Sequence, residues 1–268
     1  MSNTIVSLRL VALVILCLAS TGMAQAQPDR LARIKAANEL RVCIWPDYYS
    51  ITFRSPKTRQ LTGIDIDLSK DLGRELGVTV RYVDSSFAQL QDNLLKDVCD
   101  IAMHAVGITP QRAARLAFTA PYLRSDIYAI APRNSRAVQT WADLDQPGRV
   151  LAVQAGTVME PVMQQALRQA KVLVVRPPAT REQEVAAGRA DAFMTDYPYS
   201  RRMVDLTDWA RVIAPPSVFH QTDYAYALAP GDDSLLRRVN AYIRAIKKDG
   251  RLLIAARKHQ LDPIVVKD

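Results

Sequence analysis

Arg41-Val42-Cys43-Ile44-Trp45, a short apolar run stopped by Pro46, is the first of three strand-like segments that decide the fold. The second, Val78-Thr79-Val80-Arg81-Tyr82-Val83, alternates apolar and polar residues, and the third is Asp100-Ile101-Ala102-Met103. Between the first two, Ile64, Leu68, Leu72 and Leu76 lie at helical spacing, and between the second and third so do Phe87, Leu90, Leu94, Leu95 and Val98. Strands separated by amphipathic helices predict βαβ units and a parallel sheet, since a parallel neighbour is reached only through a long crossover.

The plan restarts after Pro132. Val150-Leu151-Ala152-Val153 reads as a strand ended by Gly156, and a helix follows from about Met159 to Ala170. Val172-Leu173-Val174-Val175 reads as a strand ended by Pro177-Pro178. Glu182 to Gly188 is predicted helical and Ala190 to Met194 extended. The chain therefore carries two α/β modules. Tyr224 to Leu228 looks extended again, and Leu235 to His259 reads as two helices broken at Asp249-Gly250. If that pair returns to the first module, the chain crosses between modules twice.

Before the first module, Arg9 is the only charged residue ahead of Asp29; Leu10 to Leu18 is apolar, and small residues end at Ala24-Gln25-Ala26. A basic start, a short apolar stretch and an A-x-A site predict a secretory signal peptide over residues 1–26, cleaved after Ala26. The apolar stretch falls short of the ~20 residues that span a bilayer. Leu16 stands before Cys17, where lipid-anchor signals favour a small residue.

The 268 residues are 49% hydrophobic and 23% charged, an ordinary globular composition that argues against disorder or low-complexity scaffolding. Thirty-five Lys and Arg against 27 Asp and Glu give a charge of +8. Such a charge suits nucleic acid, an anionic surface or an acidic ligand, and export removes the first. Beyond Cys17 the chain has Cys43 and Cys99, and an exported compartment favours pairing them.

His104, His220 and His259 are scattered, without metal-ligand spacing, and no G-x-S-x-G elbow, P-loop or dinucleotide fingerprint occurs. The expectation is no catalytic residue, no metal and no cofactor. Three local features point to binding instead. Gly156-Thr157 follows a strand and precedes a helix, a place where backbone N–H groups attract anions; the plainer reading is a turn. In Thr109-Pro110-Gln111-Arg112, Thr109 suits an N-cap and Pro110 a first helical position, so Arg112 falls in a first turn, against the helix dipole. Asp196 lies past the carboxyl end of a strand, where ligands bind in open α/β sheets, or else it caps a helix.

Gly63-Ile64-Asp65-Ile66-Asp67-Leu68, Thr109 to Arg112, Phe118-Thr119-Ala120-Pro121-Tyr122, Gln154-Ala155-Gly156-Thr157 and Gly188-Arg189-Ala190-Asp191-Ala192 together resemble the solute-binding proteins of family 3, the amino-acid receptors of ABC importers. The resemblance runs from Leu40 to about His259 and keeps the motif order. It implies an α/β, two-lobed type II periplasmic-binding-protein fold, with parallel-rich sheets, helices on both faces and two hinge crossings. Residues 27–128 and 226–268 are assigned to lobe 1 and residues 129–225 to lobe 2. By the same resemblance Arg112 holds a ligand carboxylate, which suits a bidentate guanidinium better than Lys. Backbone groups near Ala105 and Gly107, and Thr157 from the other lobe, would assist; Asp196 would take an ammonium, and Tyr49 and Phe87 would flank the ligand side chain. Cys43 and Cys99 would fall on neighbouring strands, at a spacing that suits a disulfide.

The implied function is a periplasmic receptor, most simply a monomer, that delivers a small carboxylate-bearing zwitterion to an ABC permease. Arg112 and Asp196 are expected to stand in water in the empty cleft. Cyclohexadienyl dehydratases resemble the same family, but place a catalytic Glu three residues after the acid matching Asp196, where this chain has Tyr199. The Cys43 and Cys99 pattern also resembles accessory partners of periplasmic quinoprotein dehydrogenases, which tend to lack the arginine that this chain has at Arg112. Finally, Arg237, Arg238, Arg244, Lys247, Lys248, Arg251, Arg257 and Lys258 crowd the last helices, a solvated face or a contact with a partner.

Overall fold

The computed structural model describes residues 29–267; the signal peptide of the sequence reading lies outside them. The first lobe opens with α1 (Arg30–Ala37), β1 (Glu39–Ile44), β2 (Phe53–Arg54), β3 (Leu61–Thr62), α2 (Ile64–Leu76) and β4 (Thr79–Asp84). It continues with α3 (Leu90–Leu95), β5 (Ile101–Gly107), α4 (Pro110–Ala113), β6 (Ala117–Phe118) and β7 (Leu123–Ser125). The second lobe holds β8 (Ile127–Pro132), β9 (Val150–Gln154), α5 (Met159–Ala166), β10 (Lys171–Val175), α6 (Arg181–Ala186), β11 (Ala192–Asp196), α7 (Tyr197–Leu206) and β12 (Ala210–Ile213). The chain then returns through β13 (Thr222–Leu228), α8 (Asp233–Lys248) and α9 (Arg251–Lys258). Among the described residues no helix is long and apolar enough to cross a membrane.

Each lobe is built on one sheet, ordered β4-β1-β5-β13-β6 with β7 also on β13, and β10-β9-β11-β8-β12. The three strands that begin each order are parallel, as the strand–helix alternation predicts. Beyond them, β13 runs antiparallel to β5, and β8 antiparallel to β11 and β12, so the sheets are mixed rather than parallel-rich. The antiparallel members are the strands next to the crossings: a chain that switches lobes arrives without a crossover helix, and nothing then enforces a parallel approach.

The crossings also lie earlier than the sequence boundaries at 128/129 and 225/226. Strand β8 already belongs to the second sheet from Ile127, and β13 belongs to the first from Thr222. Extended residues in a crossing and in a strand read alike, which is why the boundary was displaced. Asp126 laces the two crossings together: its carboxylate accepts the N–H of Phe219 at 2.8 Å and of His220 at 2.7 Å.

Helices α8 and α9 pack back on the first lobe, burying Leu235, Val239, Tyr242, Ile243, Ile246 and Leu252. Part of their basic charge is spent there. Arg238 pairs with Glu75 at 2.9 Å, Arg251 with Asp71 at 2.6 Å, and Lys258 with Asp67 at 2.8 Å. These acids stand at helical spacing on α2, so the ion pairs fasten the returning helices to it. Cys43 and Cys99 form a disulfide, Cα atoms 5.7 Å apart, within a buried cluster that includes Leu90, Leu94, Val106 and Leu116.

Candidate functional site

A cavity lies between the lobes, lined by Trp45, Tyr48, Phe87, Ala105, Gly107, Arg112 and Tyr224 of the first, and by Thr157, Val158, Met159, Arg181, Thr195, Asp196 and Tyr199 of the second. The two walls meet across the cleft, through Arg112 on Gly156 O, Tyr48 and Tyr224 on Asp196, and Trp45 on Tyr199, and leave a cavity of about 20 Å³. The lobes are closed on it.

Arg112 stands where its local sequence predicts. Thr109 caps α4 by accepting the Arg112 N–H at 3.2 Å, with Pro110 at the first helical position. The guanidinium is 6% exposed and donates to two carbonyls, Gly107 O at 2.8 Å and, across the cleft, Gly156 O at 2.7 Å. It faces the Phe87 ring at 5.4 Å. Among the described residues no carboxylate pairs with it, and burial pulls its pKa down to about 10. A buried cation with only neutral acceptors is electrostatically incomplete, and an anion supplied from outside would complete it.

Asp196 ends β11 on the cavity wall and caps α7, accepting the Tyr199 N–H at 3.1 Å, so the helix-cap reading of this residue holds. It is 4% exposed, and burial raises its pKa. Two tyrosines of the first lobe grip it: the Tyr224 hydroxyl donates at 2.8 Å, and the Tyr48 hydroxyl donates to the same oxygen. Neither Arg112 nor Asp196 stands in open water, a correction to the sequence expectation. Closure itself covers them.

Phe87 lies in the cavity wall, ahead of α3 rather than in it. Trp45 meets it edge-on at 5.4 Å and stacks on Tyr199 of the other lobe, ring centroids 6.1 Å apart and planes 8° from parallel. Tyr49 does not reach the cavity. Its ring packs on Phe53 at 5.4 Å, and its hydroxyl lies 3.5 Å from Asp205. Of the two adjacent tyrosines the one that lines the cavity is Tyr48, whose N–H closes a turn on Trp45 O at 3.1 Å.

The assisting groups are largely spent on building the site. The Thr157 hydroxyl donates to Gln154 O at 2.7 Å. The Gly156 N–H donates to Glu160 at 2.7 Å, so the anion-attracting turn is filled by a carboxylate of its own helix. Gly107 orients Arg112. The Ala105 N–H donates to buried Asp65 at 2.9 Å, and Asp65 also accepts from Tyr122 at 2.6 Å and Tyr226 at 3.1 Å. That network holds Ala105 at φ 49°, a left-handed conformation that costs a non-glycine residue about 1–2 kcal/mol. Desolvation raises the Asp65 pKa to about 7.

Gly156 has φ 75°, and a Cβ on it would lie 2.6 Å from the backbone N of Ala88 in the facing lobe. The neighbour is backbone and cannot swing aside. Gly156→Ala is therefore expected to hold the lobes ajar, and small-angle scattering should show a larger radius of gyration than wild type. An unchanged radius would contradict this closure contact.

His104, next to Ala105, is fully buried, and among the described residues neither ring nitrogen has a hydrogen-bond partner. Its ring meets Phe87 edge-on at 4.9 Å. Burial first, then the charge of Arg112, pulls its pKa from 6.5 down to about 3. Between those values the unfolded chain binds the proton that the folded chain refuses, so stability falls as pH drops below about 6. His104→Leu removes that loss. The variant should gain about 2 kcal/mol more over wild type at pH 5 than at pH 8, measured by urea denaturation. An equal difference at both pH values would contradict a neutral buried His104.

Arg181 and Tyr199 are cavity residues that the sequence reading missed. Arg181 had a signal: Thr180 caps α6, with a capping box to Gln183, which puts Arg181 in a first turn just as Thr109 does for Arg112. The Arg181 guanidinium donates to Met194 O at 2.8 Å and lies 4.3 Å over the Tyr199 ring.

Two α/β lobes joined by two crossings around a closed cleft define the type II periplasmic-binding-protein fold. The chain belongs to the bacterial extracellular solute-binding proteins, family 3, whose model matches residues 40–261. It is 31% identical over 242 residues to cyclohexadienyl dehydratase of Pseudomonas aeruginosa PAO1, covering 90% of each chain. It is 25% identical over 195 residues to the ABC transporter arginine-binding protein 1 of Escherichia coli K12, covering 71% of this chain and 78% of that one. Among solved structures, AncCDT-1, an ancestral amino acid-binding protein and a precursor of cyclohexadienyl dehydratase, superimposes with a TM-score of 0.78 at 32% identity, over 85% of this chain and 98% of that one.

Proposed function

We propose that this chain is an exported receptor, cleaved after Ala26 and working in the periplasm as a monomer. It captures a small carboxylate-bearing zwitterion, an amino acid or derivative, for an ABC permease. The observation that carries the reading is Arg112: a buried guanidinium with no acid paired to it among the described residues, on the cavity that Asp196 enters from the other lobe. In this reading the ligand carboxylate takes Arg112 and the ligand ammonium takes Asp196, displacing the Tyr48 hydroxyl. Trp45, Phe87 and Tyr199 cover the side chain. Closure brings the two charges to one ligand, and the closed shape is what a permease would recognise. The family and the relative that serves an ABC transporter support the transport role.

The dehydratase relative supplies a second reading, an enzyme on the same fold. It finds little support at the position three residues after Asp196. Tyr199 there donates its hydroxyl to Glu182 at 2.6 Å, and burial pushes its pKa above the ordinary phenol range. Such a group holds its proton at neutral pH and is a poor acid–base catalyst. Glu182 does not line the cavity.

A thermal-shift screen of the mature chain against free amino acids, beside an assay for dehydration of cyclohexadienyl carboxylates, separates the two readings. Stabilisation by an amino acid without turnover supports the receptor; turnover would overturn it.

A further inference from the structure

The cavity holds two buried guanidinium groups against one carboxylate. Arg181 is 3% exposed and lines the same space as Arg112. Among the described residues one of its five N–H groups is used, on Met194 O, and its faces are covered by Tyr199 at 4.3 Å and Phe193 at 5.0 Å. Among the described residues no acid forms an ion pair with it. The acid that feels its charge is Asp196, whose carboxylate accepts the hydroxyls of Tyr48 and Tyr224 and the Tyr199 N–H rather than a guanidinium hydrogen bond. Arg181 also stands in the first turn of α6, where the helix dipole opposes a cation.

Arg112 and Arg181 against Asp196 leave the lining with one uncompensated positive charge. An ordinary zwitterion would take Arg112 and Asp196 and add no net charge, so the lining would keep its one uncompensated positive charge. A ligand with a further carboxylate would bring the cavity to neutrality. A ligand with a cationic side chain would place like charges together out of water, an arrangement that costs affinity.

We propose that Arg181 is the specificity-determining residue of this cavity and that it selects dicarboxylic amino acids over their neutral amides and over cationic amino acids. The proposal rests on the receptor reading above. The ligand α-carboxylate and ammonium take Arg112 and Asp196, and the side-chain carboxylate takes Arg181 through the paired N–H groups that a guanidinium offers.

Calorimetric titration of the mature chain with L-glutamate against L-glutamine, L-aspartate against L-asparagine, and L-arginine tests it. The acid of the better-fitting pair should bind at least tenfold tighter than its amide, and L-arginine at least a hundredfold weaker than that acid. Arg181→Gln should cut affinity for the acid at least tenfold and leave the amide within about threefold, while Arg181→Lys keeps the order acid over amide. Melting temperatures of both variants show whether they fold. Amide binding equal to or tighter than acid binding in wild type would overturn the proposal and leave the receptor standing. So would an Arg181→Gln variant that weakens both ligands equally. If none of these amino acids binds, the proposal falls, and the thermal-shift screen against the remaining amino acids decides the receptor reading separately.

Discussion

Arg112→Ala is expected to weaken binding of an amino-acid ligand by about a hundredfold to a few thousandfold while leaving the melting temperature of the ligand-free protein unchanged or raised. Removing one partner of a buried charge pair costs about 3–5 kcal/mol, because the other charge stays behind without compensation. At 1.4 kcal/mol per tenfold, that is the stated loss of affinity. The stability half of the expectation comes from the ligand-free site. There the guanidinium donates to the neutral Gly107 and Gly156 carbonyls and faces the Phe87 ring, and burial has already pulled its pKa down to about 10. A group whose charged form the fold disfavours adds little to stability at neutral pH, as with other residues kept for function rather than folding. Alanine also keeps the backbone N–H that Thr109 accepts. The matching change on the other lobe is Asp196→Asn, which removes the charge and keeps an N-cap for α7; Asp196→Ala would lose the cap as well, at about 1 kcal/mol. Calorimetry and thermal melts on the same preparations check both halves. A variant that loses stability and affinity together would assign Arg112 to the fold rather than to the ligand.

Replacing both Cys43 and Cys99 by Ala should lower stability by about 4 kcal/mol. The bond closes a loop of 56 residues, and the chain-entropy model gives that figure for such a loop. For a chain of this size the loss corresponds to about 8–16 °C in melting temperature. The location explains why the bond forms: β1 and β5 are parallel neighbours, Cys43 stands opposite Ala102, and Cys99 lies just before β5. Both cysteines are buried beside Leu90, Leu94 and Val106, so the cross-link also pins the α3 side of the sheet. Thiol titration of the unfolded mature protein should find no free thiol. Two free thiols, or a double variant that melts within about 2 °C of wild type, would contradict the cross-link.

The parallel cores of both sheets were legible because strands β1, β5 and β9 are covered on both faces and so read as short apolar runs. The stripe Ile64, Leu68, Leu72, Leu76 marked α2 for the same reason: one buried face at helical period. The short strands β2, β3, β6 and β7 span two or three residues, too few to show any period. In the site, Arg112 and Asp196 were readable because each sits at a helix start with a recognisable cap. Arg181 carries the same signal in Thr180-Arg181-Glu182-Gln183. Tyr48 could not be told from Tyr49, since in a tight turn no periodicity says which of two adjacent rings points inward. Nor could the closed state be read from the chain. The bonds from Tyr48 to Asp196 and from Arg112 to Gly156 O join residues far apart in sequence, and only the folded lobes bring them together.

The central claim is that one ligand bridges Arg112 and Asp196. A crystal structure of the mature chain with the amino acid that stabilises it most tests this directly. The ligand α-carboxylate should lie within hydrogen-bond distance of the Arg112 guanidinium and the ammonium within the same reach of Asp196, with the Tyr48 hydroxyl moved off that carboxylate. A ligand bound outside the cleft, or one whose carboxylate lies away from Arg112, would contradict the account.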